Sequence, residues 1–218
     1  MKSLNHDTIS IFVNEKFVYS LDKKQDKVFS YVDNTFKDGR IEGSDATFKY
    51  SQGNLFLECP SAFINIRSPS DSPLEKFYIN TKYYLEELLL GYVQLGLFRQ
   101  NEQNYPISGY VLLAQKIGDP ASKKYAKCSY PDNVYLLGRG SEILSPFNDQ
   151  NISSTHCLLG FDQNKNMFYV FDYGRNGAGS INGTQVRIRS DKPYLIYKNV
   201  ELRIIFPPRC DIRMHIKF

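Results

Sequence analysis

Three short motifs follow one another in the second half of the chain: Gly138-Arg139, Ser153-Ser154-Thr155-His156 and Ser180-Ile181-Asn182-Gly183-Thr184. Between them they offer a guanidinium, several hydroxyls and a side-chain amide, the donor set that an oxyanion needs. A phosphate ester carries about −1.5 to −2 charges and three strong acceptor oxygens, so a pocket for it requires a fixed cation with several short donors. Arg139, Ser153 and Asn182 supply that mixture. Arginine suits the task better than lysine because its planar fork meets two oxygens at once. Charge-assisted bonds of this kind contribute roughly 1.5 to 3 kcal/mol. Gly138 and Gly140 give the backbone on either side of Arg139 freedom to approach a ligand.

Short strands must hold these residues. Segments such as Ile9 to Tyr19, Ala46 to Tyr50, Asn54 to Cys59, Ala62 to Arg67 and Phe77 to Asn80 are rich in Phe, Tyr, Ile and Val, and Gly, Pro, Ser or Asn cut them. After the polar stretch Asn101 to Pro106 the pattern resumes with Gly109 to Gln115, Val134 to Leu137, His156 to Phe161, Met167 to Phe171 and Gln185 to Arg189. Tyr194 to Tyr197, Val200 to Phe206 and Asp211 to Lys217 complete a second set. One helix-like stretch, Thr81 to Leu90, places Leu85, Leu88 and Leu89 on one face. The expected class is all-β, with two β-sandwich domains over residues 1–103 and 104–218. The 218 residues, 42% hydrophobic and 14% aromatic, suffice to fill two cores of ordinary size.

The order of the three motifs within such strands resembles the forkhead-associated (FHA) phosphothreonine-binding domain. The resemblance implies a β-sandwich that carries phosphate-reading residues on the loops at one end. By it, Arg139 and Ser153 hold the phosphate, Ser154 touches the peptide backbone or the phosphate, and Asn182 grips the peptide main chain. Gly138, His156, Gly183 and Thr184 then support the site structurally. The matching histidine of the family lies behind the binding loops and fixes them through backbone hydrogen bonds, so His156 is architectural. A lone histidine at the start of an apolar run is also, on chemistry alone, more often a satisfied core residue than a ligand.

The chain departs from that pattern at two places. Ile181 stands where the family usually has a threonine or similar small polar residue. The loop Tyr173 to Gly179 is longer than the usual turn, and Arg175 within it reads either as a solvated turn residue or as an extra anion contact. The first domain resembles the second more weakly: Ser44-Asp45-Ala46-Thr47-Phe48, Asn54 to Cys59 and Ala62 to Arg67 parallel Ser153 to Cys157, Met167 to Asp172 and Ile181 to Arg187. The run Leu89 to Gly96 resembles the closing strands of an FHA domain. Residues 1–103 therefore read as a β-rich, degenerate FHA-like domain, an unrelated β-domain being the alternative. A second working pocket is not expected there. Arg40 precedes Ser44 by only 4 residues whereas Arg139 precedes Ser153 by 14, Thr47 replaces the histidine, and no Gly-Thr follows Asn65.

Other chemistries find little support. His6, His156 and His215 are the only histidines, and no Ser-His-Asp order, H-E-x-x-H helix, paired-carboxylate motif or kinase signature accompanies them. An enzyme is not expected. Cys59, Cys128, Cys157 and Cys210 lie apart without C-x-x-C spacing and read as reduced core thiols, with no metal and no cofactor. The glycines near Arg175 lack the G-K-[ST] ending of a nucleotide-binding loop. The 27 basic and 23 acidic residues are nearly balanced, and the charges on Arg203, Arg209, Arg213 and Lys217 alternate as on a solvated strand face, so nucleic acid is not an expected partner. Ser68-Pro69 and Ser72-Pro73 read as an exposed turn, with proline-directed phosphorylation the alternative. The start has no secretory apolar run and no stretch is long enough to span a membrane, which gives the expectation of an intracellular chain, nuclear or cytoplasmic. The function expected from the resemblance is that of a phosphothreonine-peptide-binding adaptor within a larger protein complex. The alternative is a phosphorylation-independent structural or assembly subunit that uses both sandwiches as docking blocks.

Overall fold

Period-two burial runs through several of the strands. Ile9, Ile11 and Val13 point inward from one of them, and Phe168, Val170 and Asp172 from another, as expected where one face of a sheet covers a core. The structure is a computed structural model and describes residues 8–59, 62–67, 76–79, 88–99, 109–129, 134–162, 164–165, 167–188, 193–196, 200–206 and 210–218. In chain order the strands are β1 (Thr8–Val13), β2 (Lys16–Asp22), β3 (Lys27–Val32), β4 (Thr35–Asp38), β5 (Ala46–Ser51), β6 (Asn54–Glu58), β7 (Ala62–Asn65), β8 (Phe77–Ile79), β9 (Leu88–Leu90) and β10 (Val93–Arg99). There follow β11 (Gly109–Lys116), β12 (Lys124–Ser129), β13 (Tyr135–Leu137), β14 (Cys157–Asp162), β15 (Met167–Asp172), β16 (Gln185–Arg187), β17 (Tyr194–Ile196), β18 (Val200–Phe206) and β19 (Cys210–Lys217).

The chain is all-β and forms two compact units: Met1–Asn65 with Ile188–Phe218, and Ile66–Arg187. In the first, one sheet has the order β7-β18-β19-β1-β2 and the other β17-β6-β5-β3-β4. In the second, the orders are β16-β9-β10-β11-β12 and β8-β15-β14-β13. Neighbouring strands in each sheet run antiparallel. Each unit thus gathers strands that a cut at residue 103 would separate. The polar joint Asn101 to Pro106 itself lies outside the described residues, as do Ser68-Pro69 and Ser72-Pro73.

Tight hairpins make the short connections possible. The β1–β2 turn places Asn14 and Glu15 at φ 47° and 67°, and the β3–β4 turn places Asp33 and Asn34 at 51° and 61°. Two consecutive positive φ values give the primed turn whose twist matches that of the flanking strands. The stretch Ile9 to Tyr19, read from sequence as one strand, is therefore two. Of the helix expected over Thr81 to Leu90, residues 81–87 lie outside the described part, and Leu88, Leu89 and Leu90 form β9. All three leucines are buried. A strand flanked by β10 and β16 within its sheet buries side chains on both faces, a pattern that three adjacent leucines do not distinguish from a helix.

The core of the first unit is aromatic. Phe29 stacks on Tyr19 at 4.7 Å and on Phe48 at 5.2 Å between centroids, with Phe36 edge-on at 5.7 Å. Tyr19 comes from one sheet and the three phenylalanines from the other, so these rings join the two layers. Arg203, counted from sequence among surface cations, is instead buried and forms a two-bond ion pair with Asp211 at 2.6 and 2.7 Å. Truncation of Phe29 to alanine is expected to cost about 3–5 kcal/mol, the usual range for a fully buried phenylalanine. Urea unfolding of the full chain reads this directly, and a loss under about 1 kcal/mol, ordinary for a surface site, would contradict the packing.

Candidate functional site

The site of the second unit is built around one inward-facing carboxylate. The alternation that buries Phe168 and Val170 also carries Asp172 to the core face of β15, where a charge is tolerated only with its acceptors filled. Three donors fill them. The Ser180 hydroxyl donates to Oδ1 at 2.6 Å, the Thr184 hydroxyl to the same oxygen at 2.7 Å, and the Ser180 amide to Oδ2 at 2.9 Å. Ser180 and Thr184, both buried, are the two ends of the loop Ser180 to Thr184. The carboxylate thereby clamps both feet of the loop that bears Ile181 and Asn182.

His156 clamps a second loop to the first. Its ring is fully buried; Nδ1 accepts the Ser153 amide at 3.0 Å, and Nε2 lies 3.1 Å from the Gly183 carbonyl oxygen and 3.2 Å from the Ser180 hydroxyl. A backbone amide can only donate, so Nδ1 carries no proton and Nε2 holds it, which the Gly183 carbonyl accepts. Burial holds the imidazole below its ordinary value, against the opposing pull of the Gly183 carbonyl and the Asp172 charge. The neutral ring is the form that this geometry requires. Burial likewise pushes the neighbouring Cys157 thiol well up, with the Asp172 charge adding to it, so this cysteine is an unreactive core group. Cys59 is also a buried free thiol, while the side chains of Cys128 and Cys210 lie outside the described part.

Backbone contacts then bring the three motifs together. The Arg139 amide donates to the Ser153 carbonyl at 2.9 Å, and the Ile181 amide donates to the Ser153 hydroxyl at 3.2 Å. Gly138 is required by close approach: a Cβ there would sit on the Ser154 carbonyl. The half-buried Arg139 guanidinium donates from Nη1 to the Gln150 side-chain oxygen at 2.5 Å and has no carboxylate within ion-pair distance among the described residues. The Ser153 hydroxyl accepts from Ile181 and has no acceptor for its own proton among the described residues. Ser154 is exposed, and Asn182 donates through Nδ2 to the Asn151 carbonyl at 2.9 Å. Arg139, Ser153 and the Ile181–Asn182 loop are thus in direct hydrogen-bonded sequence.

The two departures take definite places. The Ile181 side chain is 79% exposed, so its apolar surface faces solvent while its amide bonds Ser153 and its carbonyl accepts from Arg67 at 3.1 Å. The long loop pinches shut on itself: Gly174 at φ 62° bridges Gly179, whose amide donates to the Tyr173 carbonyl at 2.9 Å. Thr155 donates to the Gly174 carbonyl at 2.8 Å, and Arg175 is exposed at the excursion's tip.

Asp172, Ser180, Gln150, Asn151 and Arg67 were not singled out as site residues by the sequence motifs. Asp172 had a readable signal, since period-two counting from Phe168 puts it inside. Arg67 had none, because nothing local ties it to Ile181. Among the described residues there is no group of three or more His, Cys, Asp or Glu placed to hold a metal ion, and no helix is long and apolar enough to cross a membrane.

In the first unit, by contrast, Arg40 donates to Glu58 at 2.6 Å, so its charge is neutralised. Thr47, at the position that the Ser-x-x-His spacing would give to histidine, lies 3.2 Å from the Ser44 hydroxyl and 3.4 Å from that of Ser30. A hydroxyl has neither the reach nor the two opposed nitrogens with which His156 spans from one loop to another.

Residues 135–205 match the family model of the FHA domain, a module of protein–protein interaction that binds phosphothreonine peptides. The span contains Gly138-Arg139, the Ser153 to His156 motif and the Ser180 to Thr184 loop. It begins at β13 and ends within β18, so it follows the linear order of the chain: its part up to Arg187 lies in the second unit and the rest in the first. No curated protein and no solved structure matches the chain.

The histidine clamp makes stability depend on pH. The folded value lies below the unfolded one of about 6.5, so the native state binds fewer protons and its stability falls as pH drops below about 6.5, by up to ~1.4 kcal/mol per pH unit. Urea unfolding of the full chain between pH 7.5 and 5 is expected to show this fall. His156→Asn should be weaker at pH 7.5 and flatter below it. A wild-type profile no steeper than that of the variant would contradict the assignment.

Proposed function

We propose that the chain is a phosphothreonine-peptide-binding adaptor. Arg139 and Ser153 hold the phosphate, Ser154 contacts the phosphate or the peptide backbone, and Asn182 grips the peptide main chain. The observation that carries this reading is Arg139 itself: a half-buried guanidinium with no described carboxylate partner, joined through Ser153 to a hydroxyl with an uncommitted proton, inside the FHA match. A dianionic phosphate supplies the missing counter-charge and accepts from both groups. The Gln150 oxygen is a neutral partner that the phosphate displaces at small cost. Asn182 is set in the Ser180 to Thr184 loop with its NH₂ group held by the Asn151 carbonyl, next to the Ile181 amide that bonds Ser153. His156, Gly183, Thr184 and Gly138 set the positions of these donors and do not touch the ligand.

Binding without chemistry accords with the site, since the one histidine there is buried, neutral and committed on both nitrogens. The adaptor acts inside the cell, where threonine kinases mark its partners, and its effect comes through a larger complex. The first unit, with Arg40 neutralised by Glu58, serves as a docking block and not as a second phosphate reader. A second reading, docking independent of phosphorylation, is favoured by one feature, the exposed Ile181 at the loop tip.

Isothermal titration with a degenerate phosphothreonine peptide pool and its unphosphorylated counterpart separates the two. Phosphate-dependent binding is expected to weaken roughly ten- to a hundredfold in Arg139→Ala, the worth of a charge-assisted contact. Arg139→Lys should recover only part of it. Equal affinity for both pools, or for wild type and Arg139→Ala, would overturn the reading.

A further inference from the structure

The two units follow one strand plan. Replacing β7, β18, β19, β1 and β2 by β16, β9, β10, β11 and β12 turns the first sheet of one unit into the first sheet of the other, and replacing β17, β6, β5 and β3 by β8, β15, β14 and β13 does the same for the second. Among the described residues, only β4 lacks a counterpart. The correspondence has a twist in its connectivity. In the first unit the three closing strands, β17 to β19, come last in the chain, whereas in the second the corresponding β8 to β10 come before everything else. Read linearly, residues 8–99 hold one complete set of strands in the order of the first unit, and residues 109–217 hold another. Each unit therefore takes its closing strands from the other repeat. The FHA match agrees with a linear origin, because it runs through β16 into β17 and β18 as consecutive parts of one domain.

The two closing hairpins are not equivalent, and the difference reaches the site. The turn between β9 and β10 is Gly91-Tyr92, and the Tyr92 amide donates to Asp149 Oδ2 at 2.7 Å. Asp149 Oδ1 accepts the amide and the side-chain NH₂ of Asn151, both at 2.9 Å. Burial works to raise the Asp149 pKa, but these amides outweigh it and hold the carboxyl below its ordinary value. Asn151 in turn receives Asn182, and the adjacent Gln150 receives Arg139. Gly91 has φ 57°, and a Cβ on it would lie 2.6 Å from Asp149 Oδ2, so the turn admits the carboxylate only as glycine. The segment that joins β18 to β19 is Pro207-Pro208-Arg209. Two of its three residues have no N–H to offer.

We propose that the phosphate-site unit is closed by strands exchanged within the chain, and that the Gly91-Tyr92 turn delivered by this exchange positions the Asn148 to Ser153 loop through Asp149. Asp149 is a positioning residue: it reaches the ligand only through Asn151 and Gln150. The pairing stands independently of the phosphopeptide reading, while the consequence for binding rests on it.

The intact chain tests both parts. In the NMR spectrum, cross-strand contacts of Gln185 with Leu89 and of Val186 with Leu88 are expected, the register of β16 on β9. Contacts of Gln185 or Val186 with residues 202–204 of β18 would overturn the exchange, and a molecular mass of two chains would place it between copies and overturn the within-chain form. For the positioning role, Asp149→Asn and Gly91→Ala each remove the turn contact from one side. Each is expected to speed exchange of the Tyr92 amide about tenfold and to weaken the phosphothreonine pool roughly three- to tenfold, less than the loss of a direct charge-assisted contact because Asp149 acts through Asn151 and Gln150. The double variant should be no worse than the weaker single one, since both delete the same contact. Additive losses, or wild-type Tyr92 exchange in Asp149→Asn, would overturn it. If the wild-type chain binds no phosphothreonine peptide, the functional reading fails, and the cross-strand contacts and Tyr92 exchange still decide the inference.

Discussion

A carboxylate on the core face of a sheet must find enough donors nearby or it destabilises the fold. Asp172 meets that constraint with Ser180 and Thr184, and the geometry of the second unit's loops follows from how it does so. Its donors are the two feet of one loop, so satisfying the charge also fixes the loop. His156, beside the same serine, extends the clamp to Ser153 and, through the Ser153 carbonyl and the Arg139 amide, to the cation. The exposed donors are held in place by buried ones that cannot relax without leaving a polar group unpaired. That arrangement preorganises the exposed donors, which under the proposed function lowers the ordering cost of binding.

The same strand plan without this network gives a different surface. In the first unit Ser30, Ser44 and Thr47 make a small hydroxyl cluster in place of the Asp172 and His156 clamp, and Arg40 is spent on Glu58. Its core is held by stacked rings around Phe29, a non-directional means of joining two sheets. One architecture thus appears with a polar, loop-fixing interior and with an aromatic one; Arg40 of the latter is paired with Glu58, whereas Arg139 of the former has no carboxylate partner among the described residues. Two units of one strand plan differ in the side chains at their loop feet, and a fold alone does not specify a function.

Much of this was legible in the sequence, and the rest was hidden for physical reasons. Alternating apolar residues exposed the strands β6, β14 and β15, which bury mainly one face, while dense apolar and aromatic runs exposed β5 and β18. Strands β3 and β12 carry lysines and serines that blur the period, and β9, buried on all three leucines, mimics one face of a helix. The motif residues Arg139, Ser153 and Asn182 stand out in the sequence because their types suit phosphate, and the structure brings their loops together. Gln150, Asn151 and Asp149 do not, since their roles come from contacts with residues far along the chain. The discontinuous make-up of the two units was also invisible: both sets of closing strands have the same apolar character, and local pattern does not reveal which sheet a strand completes.

The most direct test of the central claim is an amide-resolved NMR titration of the full chain with a phosphothreonine peptide. The Arg139, Ser153 and Ile181 amides are expected to shift together and saturably, with the Gly39 to Ser44 segment of the first unit unmoved. Shifts confined to that segment, or no difference between the phosphorylated and unphosphorylated peptide, would contradict it.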